Sequence, residues 1–314
     1  MGAALEVRGL SKRYGRVEAL RGLDLTVEEG EVYGFLGRNG AGKSTTIRIL
    51  MGITRSSGGV IRMFGDEGRG DLMSLRQQIG YVAQDQNFYG WMTPRTIGRF
   101  VSGFYPTWGD DEYGRLLKAM DLPDRKIREF SGGMKTKLAL ALALAHRPKL
   151  LILDEPTAGL DPVARREFLD MVRDQAERTG RTTFFSTHLL DEVERAADRV
   201  GIVDGGRTIY EGQLELLSRT VRRLAHPAVE GERGLPLPAA LMDEALGLTL
   251  LQDRVRRGRR EVVVRARSPE ALEALTLSVA GDAGDAGSSG GWAVETLSLE
   301  DIFVTMVARP AVVA

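Results

Sequence analysis

Cysteine is absent from the 314 residues of this chain. That excludes disulfides and thiolate metal centres, and a reducing compartment suits it. Net charge is missing too: 43 Lys and Arg balance 43 Asp and Glu. Bulk nucleic-acid binding usually shows as a basic excess, so no nucleic-acid partner is expected. Long apolar runs are lacking. The most apolar stretch, Leu138-Ala139-Leu140-Ala141-Leu142-Ala143-Leu144-Ala145, is far short of the roughly 20 residues that span a bilayer. The opening Met1-Gly2-Ala3-Ala4-Leu5-Glu6 has no basic region followed by an apolar run, so no signal peptide is read there. Glu6 stands where a myristoylated Gly2 would want Ser or Thr. Work at a membrane would need spanning helices from another chain. What is present is 43% hydrophobic and 27% charged, an ordinary globular composition. The length suggests about two domains.

Strand signals open the chain. Leu5–Leu10 alternates, Ser11–Gly15 reads as a turn, and Leu20–Val27 alternates again. Glu31–Leu36 reads as a buried strand leading into a glycine-rich loop, Ser44–Met51 as the helix after it, and Ile79–Gln84 as another short strand. Residues 92–146 change character, with helical patterns from Thr93-Pro94, over Asp110–Met120 and over Gly133–His146. Strand Leu150–Asp154, helix Val163–Arg178, strand Thr182–Ser186, helix Leu190–Ala197 and strand Val200–Asp204 follow. Such alternation predicts an α/β fold, a parallel sheet with helices on both faces. The pattern loosens near Gly212, and residues 226–238 read as a linker. Two strands, Leu246–Val255 and Glu261–Ala266, then precede a helix from Ser268-Pro269-Glu270 to about Val279. A Gly/Ala/Asp/Ser loop over 280–291, a strand Trp292–Leu297 and a helix Leu299–Val307 close the chain.

Three clusters carry chemistry. Gly37-Arg38-Asn39-Gly40-Ala41-Gly42-Lys43-Ser44 has the spacing of a phosphate-binding loop and lies between a strand and a helix, as that pattern requires. Backbone N–H groups and the helix amino end favour phosphate oxygens, Lys43 offsets their charge, and Ser44 suits a Mg²⁺ ion. Asp154 ends an apolar strand, where its carboxylate can reach that ion, and Glu155 is the candidate to orient and deprotonate water. Between them lies Phe130-Ser131-Gly132-Gly133-Met134.

Over roughly residues 3–215 the order of these pieces resembles ATP-binding cassette ATPases. The resemblance implies a P-loop cassette of mixed sheet, with an antiparallel β-subdomain and a helical insert over about 92–146, spanning 1–217. A small α+β accessory domain with its linker would occupy 218–314. It further implies ATP and Mg²⁺ as cofactors and a head-to-tail pair of cassettes, the second being another copy of this chain or a paralogue. In that arrangement Ser131, Gly132 and Gly133 of one cassette close over ATP held by residues 37–45 of the other, Thr45 included. Tyr14 stands where the family stacks an aromatic ring on adenine. Gln84 stands where it senses Mg²⁺ and water, Asp161 in the loop between the two halves, and His188 at the switch contacting the γ-phosphate. Asp161 also reads as a helix cap before Pro162. His146 needs no more than a role at a helix end, and His226 carries no signal.

Two motifs depart from the family's pattern. Arg38 replaces its usual Pro, and Phe130 and Met134 flank the Ser-Gly-Gly in place of Leu and Gln. The Ser-Gly-Gly-Met form is similar to that of cassettes serving type-2 exporters. There the segment Asn87–Thr93, with Phe88, Tyr89 and Trp91, faces the permease, and apolar anchors suit such a groove. Packing inside the helical subdomain is the other reading of those rings. Arg254, Arg256, Arg257, Arg259 and Arg260 gather at a hairpin tip, for which a solvated turn is a plainer account than anionic headgroups or nucleic acid. The implied function is an ATP-hydrolysing exporter subunit, peripheral at the cytoplasmic face of the membrane and bound to separate transmembrane permease subunits. A cassette ATPase acting on ribosomes or DNA would carry a second cassette or a coiled-coil insertion. A module using ATP only to dimerise would not need Asp154, Glu155 and His188.

Overall fold

The computed structural model describes residues 2–66, 72–227, 237–256, 258–281 and 292–308. Two compact units divide the chain, Met1–Glu211 and Gly212–Ala314. The first opens with β1 (Ala3–Tyr14), β2 (Val17–Glu28), β3 (Val32–Gly37), α1 (Lys43–Leu50), β4 (Gly58–Met63), α2 (Leu72–Gln77) and β5 (Ile79–Val82). Helices α3 (Pro94–Ser102), α4 (Asp110–Ala119) and α5 (Gly132–Leu144) come next. Then alternate β6 (Leu150–Asp154), α6 (Pro162–Thr179), β7 (Thr182–Thr187), α7 (Leu190–Ala196) and β8 (Arg199–Asp204), before β9 (Arg207–Gln213).

The main sheet has the order β5-β6-β7-β3-β8-β9. Its pairs from β5 to β8 are parallel. Residues of β3, β6 and β7 are buried throughout, as central parallel strands covered on both faces require. A smaller antiparallel sheet, β2-β1-β4, lays Leu5, Val7, Leu23 and Leu25 into one core with Tyr33, Phe35, Ile47 and Phe184 of the main sheet and α1. The Tyr33 and Phe184 rings stack at 5.6 Å. Parallel pairing puts the carboxyl ends of β3, β6 and β7 at one edge, where the loops that carry chemistry must converge.

Local signals start and stop the helices. Thr93 caps α3 by accepting from Thr96 N, and Thr96 Oγ1 accepts in return from Thr93 N. Ser131 caps α5 and Asp161 caps α6, with Pro162 at the first helical position. Three expectations need correction. Ser11–Tyr14 is strand rather than turn: β1 runs on because these residues pair with β2 as far as Tyr14↔Val17, and the chain reverses at Gly15-Arg16. Cross-strand pairing outweighs their polar composition. The strand β4 was not foreseen, because two glycines blur its alternation.

The third correction falls in the second unit, where the loosened pattern past Gly212 is in fact α8 (Leu214–Thr220) and β10 (Val221–Pro227). Strands β11 (Thr249–Arg256) and β12 (Arg259–Arg265), helix α9 (Pro269–Gly281), β13 (Ala293–Thr296) and α10 (Leu299–Val307) complete it. Its sheet is antiparallel in the order β11-β12-β10-β13. Leu224, Val262 and Val264 of the sheet pack against Leu272, Leu275 and Val279 of α9. The arginines of the β11–β12 hairpin are largely paired: Arg254 with Glu261 at 2.7 Å, Arg260 with Asp253 at 2.6 Å and Arg259 with Glu295 at 3.1 Å. Cross-strand ion pairs, not an open basic tip, account for them. Arg257, residues 228–236 of the expected linker and 282–291 of the expected loop lie outside the described residues.

Candidate functional site

The loop after β3 wraps the start of α1. A Cβ on Gly37 would lie 2.5 Å from the Val203 carbonyl oxygen, so only glycine lets β3 and β8 approach there. Gly42 has φ 113° and lies against β2, where a Cβ would meet Leu20 Cδ2 at 2.6 Å. Gly42 caps α1 without a side chain, and no acidic residue stands in that helix's first turn. The first N–H groups and the positive end of the helix therefore face the loop with no carboxylate of the helix's own to cap them, a geometry that suits phosphate. Arg38, Asn39 and Gly40 are exposed, Ala41 is buried, and Ser44 and Thr45 are half-buried.

Lys43 is buried at 4% exposure. Its Nζ donates to the carbonyls of Gly37 at 2.8 Å and Arg38 at 3.3 Å, and meets Glu155 Oε1 at 3.1 Å. The ammonium thus bridges the loop to the end of β6. Asp154 accepts from Ser44 Oγ at 3.3 Å and from Ser186 Oγ at 2.9 Å. Burial pushes its carboxyl above the ordinary carboxylate range. The two hydroxyls oppose that shift, and the neighbouring Glu155 adds to it. The Glu155 N–H donates to Ser186 Oγ at 3.0 Å, so one hydroxyl fixes both acids.

Glu155 sits at φ 42°, in the left-handed region that side chains avoid. Strain of this kind persists where neighbours over-determine it, and functional sites are where it collects. The turn aims the Glu155 carboxylate back at Lys43 and at His188, whose Nδ1 is 3.2 Å from Oε2. His188 directly follows β7 and stays partly exposed. The structure therefore joins Lys43, Ser44, Asp154, Glu155 and His188 in one contact network.

The other expected residues fall around or away from it. Tyr14 ends β1 with an exposed ring, and Lys12 Nζ lies 4.7 Å from its centre. It belongs to the hairpin whose Ala19 and Leu20 touch Gly42. Gln84 is exposed two residues beyond β5, and the contacts that join Ser44 to His188 do not include it. Asp161 accepts from the N–H groups of Val163 and Ala164, so its capping role is present. Ser131 Oγ accepts from Met134 N at 3.2 Å, leaving its own proton to give elsewhere. Ser131 and Gly132 are exposed, and a Cβ on Gly132 would meet nothing within 4 Å.

His146 stands two residues past the last residue of α5, at the helix end as expected, and its surroundings there are enclosed. It is buried at 1% exposure, stacked on Tyr105 at 4.0 Å, with Nε2 3.2 Å from the Ile79 carbonyl. Burial lowers its pKa to about 4, which keeps the ring neutral. Sequence reasoning missed Ser186, although its place at the end of an apolar strand pairs it with Asp154. It also missed Glu192, a carboxylate at 1% exposure in α7.

Among the described residues no helix is long and apolar enough to cross a membrane. Of the aromatics after β5, Tyr89 and Trp91 are exposed at 59% and 66%, their ring centres 6.2 Å apart, while Met92 is buried. Beside them a cleft of about 240 Å³ opens between Gln86, Phe88, Val101, Tyr105 and Ala139.

Comparison with known proteins agrees with this geometry. The family model for the ABC transporter domain matches residues 20–158. The bacitracin transport ATP-binding protein BcrA of Bacillus licheniformis is 35% identical over 71% of this chain and 74% of its own. The daunorubicin/doxorubicin resistance ATP-binding protein DrrA of Streptomyces peucetius is 37% identical over 80% of this chain and 78% of its own. A solved ATP-binding subunit of an ABC transporter superposes with a TM-score of 0.62 at 32% identity, covering 69% of this chain and 92% of that one.

Proposed function

The chain belongs to the ABC transporter family as an ATP-binding, ATP-hydrolysing protein, and from that membership we propose that it energises an exporter whose membrane-spanning part is a separate permease. The observation that carries this reading is the meeting of Lys43 and His188 on the two oxygens of Glu155, beside the Ser44–Asp154 pair.

Residues 37–45 cradle the phosphates of ATP through N–H groups and Lys43, and Tyr14 offers the open ring for adenine. Ser44 and Asp154 supply only oxygen donors, as a hard cation requires, and no cluster of three or more acidic, His or Cys ligands competes among the described residues. One hydroxyl and one carboxylate suit Mg²⁺, which takes its other oxygens from phosphates and water. Gln84 joins that set by resemblance. Bound there, Mg²⁺ neutralises charge on the phosphate oxygens.

Glu155 then takes the proton of the attacking water, whose oxygen approaches the γ-phosphorus in line with the leaving β-γ bridge oxygen. Lys43 and His188 hold charge developing on the γ-phosphoryl oxygens, so stabilisation is mainly electrostatic. The exposed Ser131 hydroxyl, and the open space around Gly132, suit the close approach of a second cassette holding its own ATP. ATP closes the pair and hydrolysis releases it. That partner is another copy or a paralogue, with Asp161 at the contact between halves.

Nucleotide chemistry falls to the first unit, Met1–Glu211, and the second forms an accessory domain; the expected boundary at 217/218 would cut α8. The exposed Tyr89 and Trp91 and the adjacent cleft are where the permease would dock, placing the chain at the cytoplasmic face of the membrane. The named relatives are ATP-binding proteins of bacitracin transport and of daunorubicin/doxorubicin resistance, which favours export of an amphiphilic compound. The test is to trap the Glu155→Gln protein with ATP in its native cells, solubilise the membranes gently and identify what co-purifies. A multi-spanning membrane protein supports the exporter reading. Recovery with ribosomes or DNA and no membrane protein sinks it.

A further inference from the structure

Glu192 is buried in the first turn of α7, outside every motif that binds nucleotide. Both of its carboxylate oxygens are engaged. Thr157 Oγ1 donates to Oε1, and Thr187 Oγ1 donates to Oε2 at 2.5 Å. Arg165 Nε lies 3.5 Å from Oε1 and supplies the countercharge. A carboxylate so enclosed survives only if paired and hydrogen-bonded, so the arrangement is specific rather than incidental.

The partners tell what is being held. Thr157 is two residues beyond Glu155, inside the turn closed by Ala158 N to Glu155 O and Leu160 N to Thr157 O. Thr187 is the residue before His188, and its hydroxyl also accepts from Leu189 N at 3.0 Å. Arg165 stands one turn into α6, and its N–H bonds the carbonyl of Asp161, the cap of that helix. One buried carboxylate therefore ties the loop that follows the base, the strand end that carries the histidine, and the helix that begins at the partner-facing acid.

We infer that Glu192 is a positioning residue for ATP hydrolysis: it sets the Glu155–His188 geometry and transmits to it any displacement of the Asp161 loop. This rests on the reading of Glu155 as the base. The strained φ of Glu155 gives the link its purpose, because a residue in a sparsely populated conformation needs its surroundings to hold it there. The contact between His188 Nδ1 and Glu155 Oε2 joins two separate loops, and Glu192 is the group bonded to both. An ångström of drift between such groups is enough to lower the rate by roughly a hundredfold.

The experiment compares Glu192→Gln, Thr187→Val and Thr157→Val with the parent and with Glu155→Gln, reading kcat, KM for ATP, ATP affinity and thermal midpoint. Glu192→Gln keeps the shape but removes the charge and one acceptor. The expected result is a fall in kcat of at least about tenfold, with ATP affinity within about twofold and a folded protein. Thr187→Val, which deletes one hydroxyl without changing volume much, should lower kcat in the same direction. Because Thr157 and Glu192 act through one bond, the Thr157→Val/Glu192→Gln double variant should lose little more than the worse single one. A fall in thermal midpoint alone, with the turnover of the folded fraction unchanged in Thr187→Val and Glu192→Gln, reduces Glu192 to a structural role and overturns the inference. If Glu155→Gln itself keeps its turnover, the base reading fails instead, and the two failures are told apart.

Discussion

Glu155 and His188 meet at 3.2 Å, imidazole Nδ1 to carboxylate Oε2, while Lys43 holds the other carboxylate oxygen at 3.1 Å. With the His188 tautomer that carries its proton on Nδ1, the carboxylate is flanked by two donors and is a poor base. On the proposed reading, a γ-phosphate, which carries more charge, would compete for both groups and so free Glu155 to act on water.

Replacing Glu155 with Gln keeps the shape and a hydrogen-bonding carbonyl but removes the basicity. Turnover should drop by roughly 10²–10⁴ with ATP affinity little changed. Phosphate release and a nucleotide titration check this. A variant that retains most of its turnover removes Glu155 from the role.

Asp154 sets activity against stability. Burial raises its folded pKa above the ordinary 3.8. An acid shifted this way favours the folded state most below its unfolded pKa, and that advantage is lost as pH rises to the folded value. At neutral pH the ionised group is therefore a standing penalty. Asp154→Asn removes the charge and keeps an oxygen to accept from Ser44 and Ser186. It should raise the thermal midpoint at neutral pH by roughly 2–4 °C for each kcal/mol relieved, lose that gain below about pH 4, and abolish Mg²⁺-dependent hydrolysis. A lower midpoint at neutral pH contradicts the account.

The same network shows what a sequence can and cannot disclose. Gly37, Gly42, Lys43 and Ser44 are legible because a phosphate-binding loop forces glycine and lysine into fixed spacing on a contiguous segment. Asp154 and Glu155 are legible because they end an apolar strand. Ser186, Thr187 and Glu192 are not, because their roles arise only when parallel pairing sets β7 beside β6 and α7 packs against β7 and β3. The helices capped by Thr93, Ser131 and Asp161 announced themselves locally. Strand β4 and the β10 region did not, since a strand is stabilised by its neighbours and carries little signal alone. His146 was legible as a helix-end residue, but that position says nothing of Tyr105 and Ile79, which enclose it.

His146 makes stability depend on pH. Its pKa falls from an ordinary 6.5 to about 4 on folding, chiefly through burial. The unfolded chain therefore binds a proton that the folded one refuses. Stability from this group is complete above 6.5, and is lost as pH falls toward 4, by about 3 kcal/mol at 1.36 kcal/mol per unit. His146→Phe keeps an aromatic ring on Tyr105 and cannot titrate. Its thermal midpoint should be flatter across that window than the parent's. Parallel curves would show that other groups govern acid stability.

Tyr89 and Trp91 offer a test of the docking surface that leaves the chemistry alone. Both rings are mostly exposed and lean on each other rather than on the core. Removing them should therefore change the thermal midpoint little, as with other surface substitutions. Aromatic anchors at an interface centre are worth about 2 kcal/mol or more each when truncated, which is roughly thirtyfold in affinity. The Tyr89→Ala/Trp91→Ala protein should keep the ATP hydrolysis of the parent as a purified chain, yet, with Glu155→Gln added for the ATP trap, recover far less membrane protein than Glu155→Gln alone. Parity in both assays would place the permease contact elsewhere. Loss of ATP hydrolysis in the purified chain would mean that these rings support the site rather than the partner.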